Sequence, residues 1–202
     1  MTKIKICGLS RPCDIEYVNE AKPDFCGFII NVPKSKRNVS PDTVRQLVKN
    51  LSPDVKPVGV FVNAPMDEIA ALTEDGTLAY VQLHGKEDEA YIAALREKIH
   101  VPIIQAFKVS CPEDVANAQQ SSADYILLDN GSGGTGKTFD WSHLRDITRP
   151  YILAGGLGPD NLGLAVSQLV PWGVDLSSGV ETDGFKDNNK VLAAVQAVRA
   201  TL

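Results

Sequence analysis

Residues 151–181 read YILAGGLGPDNLGLAVSQLVPWGVDLSSGVE: an apolar run, a glycine turn, a helix-like segment opened by Pro159-Asp160-Asn161, and a second apolar run. Both runs are nearly continuous rather than alternating with polar residues. A strand reads that way when it is covered on both faces, which is the usual condition of a parallel sheet. Proline at the first helical position, with Asp and Asn beside it, marks the helix start. The unit is strand, helix, strand.

The unit recurs along the chain. Further apolar runs stand at IKICGL (4–9), DFCGFII (24–30), PVGVF (57–61), LAYVQL (78–83), VPIIQAF (101–107) and DYILLD (124–129), which with the two above makes eight. Between them lie segments with helix signals. DIEYVNEA follows the first run, Ser40-Pro41-Asp42 precedes VRQLVKN, and Pro65-Met66-Asp67 precedes EIAALTED. Glu87-Asp88-Glu89 precedes AYIAALREKI, Pro112 opens EDVANAQQ, Asp140 is placed to cap WSHLRDI, and Asn188 to Thr201 forms an Ala- and Val-rich closing segment. Eight strand-helix units with no composition break between them predict one α/β domain over residues 1–202, a (β/α)₈ TIM barrel at the short end of that fold's range of ~200 to over 400 residues. An open doubly wound sheet is the alternative.

Composition narrows the function. A net charge of -5 speaks against a broad nucleic-acid footprint, which needs clustered Lys and Arg on one face. No uncharged apolar run has the length of a membrane span, and MTKIKIC passes straight into a strand-like pattern, so a cytoplasmic protein with no membrane partner is expected. Cys7, Cys13, Cys26 and Cys111 show no C-x-x-C spacing, and His84, His100 and His143 are far apart, so the sequence carries no local zinc signature. The expected state is a monomer, with a homodimer as the alternative.

In such a barrel the chemistry sits at the C-terminal ends of the strands and in the loops that follow. That filter selects Cys7, the loop PKSKR with Lys34, Lys36 and Arg37, Asn63, His84, Lys108, Asp129, Gly155-Gly156, and Asp175 with Ser177-Ser178-Gly179. The last two loops read as a phosphate cradle: Gly155 and Gly156 allow close approach to backbone N–H groups ahead of a helix N-terminus, and Ser177, Ser178 and Gly179 add hydroxyls and amides. Asp129 ends an apolar strand, where a carboxyl group is costly unless it faces an opening; general acid on one side, and helix cap or ion-pair partner on the other, fit equally. A lone strand-end cysteine such as Cys7 is more often packing than nucleophile or base. His84 is either functional or simply hydrogen-bonded. The basic loop suits an anionic substrate or solvent.

Taken together in order, KICGL, GFII with PKSKR and VSP, VGVFVN, VQLHG, LLD, GGTGKTFDW, LAGGL and VDLSSGVE resemble the phosphoribosylanthranilate isomerase family along nearly the whole chain. The departure is GFIINVPKSKR, where the family often has an aromatic residue before the proline. The resemblance implies an Amadori rearrangement of a phosphosugar, N-(5-phosphoribosyl)anthranilate, in tryptophan biosynthesis, without metal or organic cofactor. It implies Asp129 as general acid, Cys7 as general base, and Arg37 as the partner of the anthranilate carboxylate; His84 and Asp175, selected by their strand-end positions, are expected as further substrate contacts. A free thiol titrates near ~8.5, so Cys7 as a base has to be depressed or desolvated.

Three other readings stand beside this one. The histidine-pathway isomerase of the same fold usually carries a carboxylate where Cys7 stands and has two similar halves, which this sequence lacks. A non-catalytic phosphosugar-binding barrel would need only the phosphate loops. A nucleotide hydrolase would rest on GSGGTGKT (131–138), which fits G-x-x-x-x-G-K-[ST]. A phosphate loop, however, needs a helix starting at its Gly-Lys-Thr, and Asp140 places the cap later.

Overall fold

The computed structural model describes residues 1–130 and 140–201. Its eight principal strands are β1 (Lys3–Cys7), β2 (Phe25–Ile30), β3 (Lys56–Phe61), β4 (Tyr80–Leu83), β5 (Ile103–Lys108), β6 (Tyr125–Asp129), β7 (Tyr151–Leu153) and β8 (Gly173–Leu176). All pair parallel with their sequence neighbours, and β1 pairs with both β2 and β8, which closes the barrel. The closing registers set Cys7 opposite Gly27 and Lys5 opposite Asp175. The expected closed barrel is the observed one.

Around it run α1 (Pro12–Ala21), α2 (Pro41–Val48), α3 (Met66–Glu74), α4 (Glu89–Arg96), α5 (Pro112–Gln119), α6 (Pro159–Leu169) and α7 (Asn188–Ala200). Their starts follow the sequence signals. Ser40 Oγ accepts Thr43 N–H at 3.2 Å, Asp88 Oδ1 accepts Tyr91 N–H at 2.9 Å, and Asp187 Oδ1 accepts Lys190 N–H at 3.2 Å. Buried Asp14 accepts the N–H groups of Ser10 and Arg11 at the head of α1.

The sequence differs from the structure in one unit. WSHLRDI reads as a helix, but the described residues after β6 hold only a single 3₁₀ turn, Trp141–Leu144, capped as expected by Asp140 Oδ1 from Ser142 N–H at 2.9 Å. The backbone N–H and hydroxyl of Thr148 turn aside to Gln119 Oε1, and Pro150 then leads into β7. The GSGGTGKT stretch lies outside the described residues.

The core has two layers. Outward-facing strand residues such as Ile4, Ile6, Phe28 and Leu83 pack against the helices. Inside the barrel, Phe25, Val58, Ile104, Leu127, Ile152 and Ala154 form a second cluster. At the N-terminal strand ends, Phe25 meets Tyr80 edge-on at 5.1 Å between ring centres and Tyr125 lies 4.4 Å from Trp172, filling that end with aromatic rings. No helix among the described residues is long and apolar enough to cross a membrane.

Candidate active site

A cavity of about 640 Å³ opens at the C-terminal strand ends. Alternation along each strand decides what lines it, because residues two apart share a face. Cys7 projects from β1 on the same side as Lys5, Gln82 and His84 follow one another from β4, and Asp129 is the last residue of β6. Arg37 comes from the loop after β2, Gly155 and Gly156 from the loop after β7, and Asp175, Ser177, Ser178 and Gly179 from β8 and its continuation. Every residue singled out as a site candidate from the resemblance or the phosphate loops therefore faces one space. Lys34 and Lys36 line it too, whereas Lys108 and Asn63 do not. Asn63 is part of the loop scaffold: its N–H donates to Glu87 Oε1 at 2.6 Å and its Oδ1 accepts Lys86 N–H at 2.8 Å.

The glycine loops have the geometry of an anion cradle. Gly155 and Gly156 have φ of +87° and +67°, a region a side chain resists. Asn161 Oδ1 accepts Gly158 N–H and its amide donates to Gly156 O, fixing the turn at the head of α6. The loop after β8 abuts this turn so closely that a Cβ on Gly179 would lie 1.9 Å from Leu157 O. Ser177 Oγ is buried with no hydrogen-bond partner among the described residues, and a ligand oxygen in the cavity would satisfy it.

The charged groups form two clusters. In one, buried Lys5 donates from Nζ to Asp175 Oδ1 at 2.9 Å, and Cys7 lies beside the pair. In the other, Arg37 grips Glu181 with two bonds, Nε to Oε1 at 2.6 Å and Nη2 to Oε2 at 2.7 Å. Lys186, 5% exposed, bonds the same carboxylate and donates to Ser177 O at 3.0 Å. Burial alone would raise the Glu181 carboxyl, but Arg37 and Lys186 hold it below its ordinary value; burial lowers Lys186 despite that partner.

Burial pushes the Cys7 thiol up, against the pull of the Lys5 ammonium. Of the two conditions set for a basic Cys7, desolvation is the one present, and net depression is not. Burial likewise lowers His84, partly offset by Asp129. Its Nδ1 is 2.8 Å from Gln82 Nε2 and its Nε2 is 3.8 Å from Asp129 Oδ2. With the Gln82 amide donating to Nδ1, the neutral ring carries its hydrogen on Nε2, toward Asp129.

Lys5, Gln82, Glu181 and Lys186 were not picked out from the sequence. Lys5 had a signal, a charge inside an apolar strand two residues before Cys7. Glu181 and Lys186 sit on a small hairpin, Glu181–Thr182 paired with Phe185–Lys186. Its Asp183-Gly184 turn, both residues at positive φ, is a strong sequence marker for such hairpins. Among the described residues no group of three or more His, Cys, Asp or Glu side chains is placed to hold a metal ion.

A closed parallel barrel with its polar groups gathered at the C-terminal strand ends is the architecture of a small-molecule barrel enzyme. The chain belongs to the N-(5'-phosphoribosyl)anthranilate isomerase family, whose model matches residues 4–197. An isomerase of that name from Endomicrobium trichonymphae is 45% identical over 204 residues, covering 99% of this chain and 100% of its own. The solved phosphoribosylanthranilate isomerase of Thermotoga maritima superposes with a TM-score of 0.89 at 37% identity, covering 99% of this chain and all of its own. Another solved phosphoribosylanthranilate isomerase, bound to reduced 1-(o-carboxyphenylamino)-1-deoxyribulose 5-phosphate, gives 0.86 at 36% identity with the same coverage.

Proposed function

We propose that this cavity converts N-(5-phosphoribosyl)anthranilate to 1-(2-carboxyphenylamino)-1-deoxyribulose 5-phosphate, with Asp129 as general acid and Cys7 as general base. Asp129 donates a proton to the furanose ring oxygen. The bond from C1 to that oxygen breaks with its electrons left on oxygen, and the anthranilate nitrogen lone pair forms a C1=N Schiff base. Cys7 then removes the C2 proton; the freed pair makes C1=C2 as the C1=N π pair returns to nitrogen, giving the enol-amine, and loss of the C2 hydroxyl proton with proton transfer to C1 gives the ketone. No oxidant or reductant enters, since the hydrogen lost at C2 is balanced at C1. His84 places Nε2, which carries the ring hydrogen, 3.8 Å from Asp129 Oδ2 on the same cavity wall.

The carrying observation is that Cys7 and Asp129 enter one cavity from β1 and β6 while the Gly155-Gly156 and Ser177–Gly179 loops lie between them around the barrel. A phosphate held by those loops leaves the sugar ring to span the two reactive side chains. Arg37 takes the anthranilate carboxylate, with Lys186 able to hold Glu181 while the Arg37 fork is engaged. The related enzyme solved with the reduced product analogue supports the choice of substrate.

Cys7→Ser and Asp129→Asn test the assignment. Each is expected to lower kcat by ~10²- to 10⁴-fold while binding of the reduced product analogue stays within a few-fold. A Cys7→Ser protein with near-native kcat would return Cys7 to a packing role.

A further inference from the structure

Lys5 is the largest of the fully buried side chains, and the reaction as written gives it no task. It lies on the cavity face of β1, two residues before Cys7 and in register with Asp175 across the barrel closure. Its Nζ meets Asp175 Oδ1 at 2.9 Å, with the two side chains 2% and 9% exposed. Gly27, opposite Cys7 on β2, leaves the space in which the groups meet. A Cβ built there would stand 2.8 Å from Cys7 Sγ and 3.0 Å from Lys5 Nζ. An ammonium has three N–H groups, and Asp175 Oδ1 engages one of them.

We infer that Lys5, oriented by Asp175, is a positioning residue that stabilises the Cys7 thiolate when it forms, offsetting part of the cost of burying a charged sulfur. The inference rests on Cys7 being the base. Lys5 remains an ammonium throughout: the thiolate takes the C2 proton, becomes a thiol, and is restored when that proton passes on. Burial works against the charge of both groups: at Lys5, Asp175 and Cys7 more than offset it, whereas at Cys7 burial is the largest influence and leaves the thiol raised, with Lys5 opposing it more strongly than Asp175 reinforces it. The other ionisable groups near Cys7 are Lys186 from the hairpin and Arg37 from the loop after β2, with Cys26 on the opposite, helix-facing side of β2. Arg37 and Lys186 share the single carboxylate of Glu181, which leaves one net positive charge, and Lys186 adds to the pull of Lys5 on Cys7 as a smaller influence.

The test uses two variants that should move in opposite directions. Iodoacetamide alkylation of Cys7 is followed against pH by peptide mass spectrometry, with circular dichroism to confirm folding. Lys5→Met should slow Cys7 alkylation at neutral pH on the order of tenfold or more and move the profile to higher pH. Asp175→Asn should speed it and move the profile lower, because the remaining ammonium then faces only Cys7. If Lys5→Met does not fold, the double variant K5M/D175N removes both charges and should still alkylate more slowly than the native chain. Unchanged profiles, or shifts in the same direction for both single variants, overturn the inference. The acid limb of kcat/KM in each folded variant should follow its alkylation profile. An alkylation profile that moves while the kinetic limb stays fixed supports the Lys5–Cys7 pairing and overturns Cys7 as the base.

Discussion

A methyl group on Gly155 would lie 2.6 Å from Asp129 Oδ1 and 2.8 Å from the backbone nitrogen of Asn130. Ordinary contacts to carbon are about 3.5 Å or more, so the overlap approaches 1 Å on both sides. The Asn130 nitrogen belongs to the backbone and cannot swing aside, which leaves the Asp129 carboxylate or the turn after β7 to move. Gly155 also has φ +87°, where a side chain adds strain of about 1–2 kcal/mol. With an overpacking penalty of about 1–3 kcal/mol, Gly155→Ala should lose about 2–5 kcal/mol of stability. For a chain of this size that is a Tm decrease of roughly 5–20 °C. A catalytic group displaced by about 1 Å loses on the order of 10²-fold in rate, so kcat should fall by about that factor in the protein that remains folded. Thermal denaturation and steady-state kinetics on phosphoribosylanthranilate measure the two effects separately. Gly163 is the control, because nothing lies within 4 Å of a Cβ there. Gly163→Ala in the interior of α6 should gain about 0.5–1 kcal/mol and leave kcat unchanged. Native kcat in folded Gly155→Ala would refute the claim that the reaction depends on where Asp129 is held.

Acid should destabilise the fold through two carboxylates. Burial would raise Asp24, but the Ile4 N–H, Lys3 and Arg199 outweigh it, as Arg37 and Lys186 do at Glu181, so both titrate below their ordinary range. Their contribution is complete above the unfolded values near ~4 and is lost as pH falls through the folded ones, so urea midpoints should be flat near neutrality and drop below pH ~4. Asp24→Asn should flatten part of that drop, and an unchanged acid limb would count against the role given to Asp24. Titration with Mg-ATP by calorimetry should give no saturable heat at millimolar concentration, because Asp140 caps the turn beginning at Trp141, after the Gly-Lys-Thr. A saturable signal abolished by Lys137→Ala would restore the nucleotide reading.

The barrel was legible because a strand buried on both faces leaves a continuous apolar run, and because caps such as Ser40, Asp88 and Asp140 act over three residues or fewer. The same continuity hid the pleat. DYILLD does not say which of its residues face the barrel interior, yet that parity puts Leu127 in the inner core and Asp129 in the cavity. Strand-end position was enough to collect Cys7, His84, Asp129 and Asp175, since closure brings all strand ends to one rim. What each of these groups touches depends on pairs far apart in sequence. Lys5 meets Asp175, and Arg37 meets Glu181, only because the barrel closes between β1 and β8. After β6 the cap was correctly placed at Asp140, but among the described residues only one turn follows it, and Thr148 bonds Gln119 on α5, a partner far away in sequence.

The central claim is that this cavity isomerises phosphoribosylanthranilate. The direct measurement is to generate that labile substrate enzymatically, add the purified chain, and follow the loss of anthranilate-type fluorescence. The expected result is a first-order loss proportional to protein concentration and far faster than spontaneous decay, suppressed in parallel by Cys7→Ser and Asp129→Asn. A rate no greater than spontaneous decay, from a folded native chain, would contradict it.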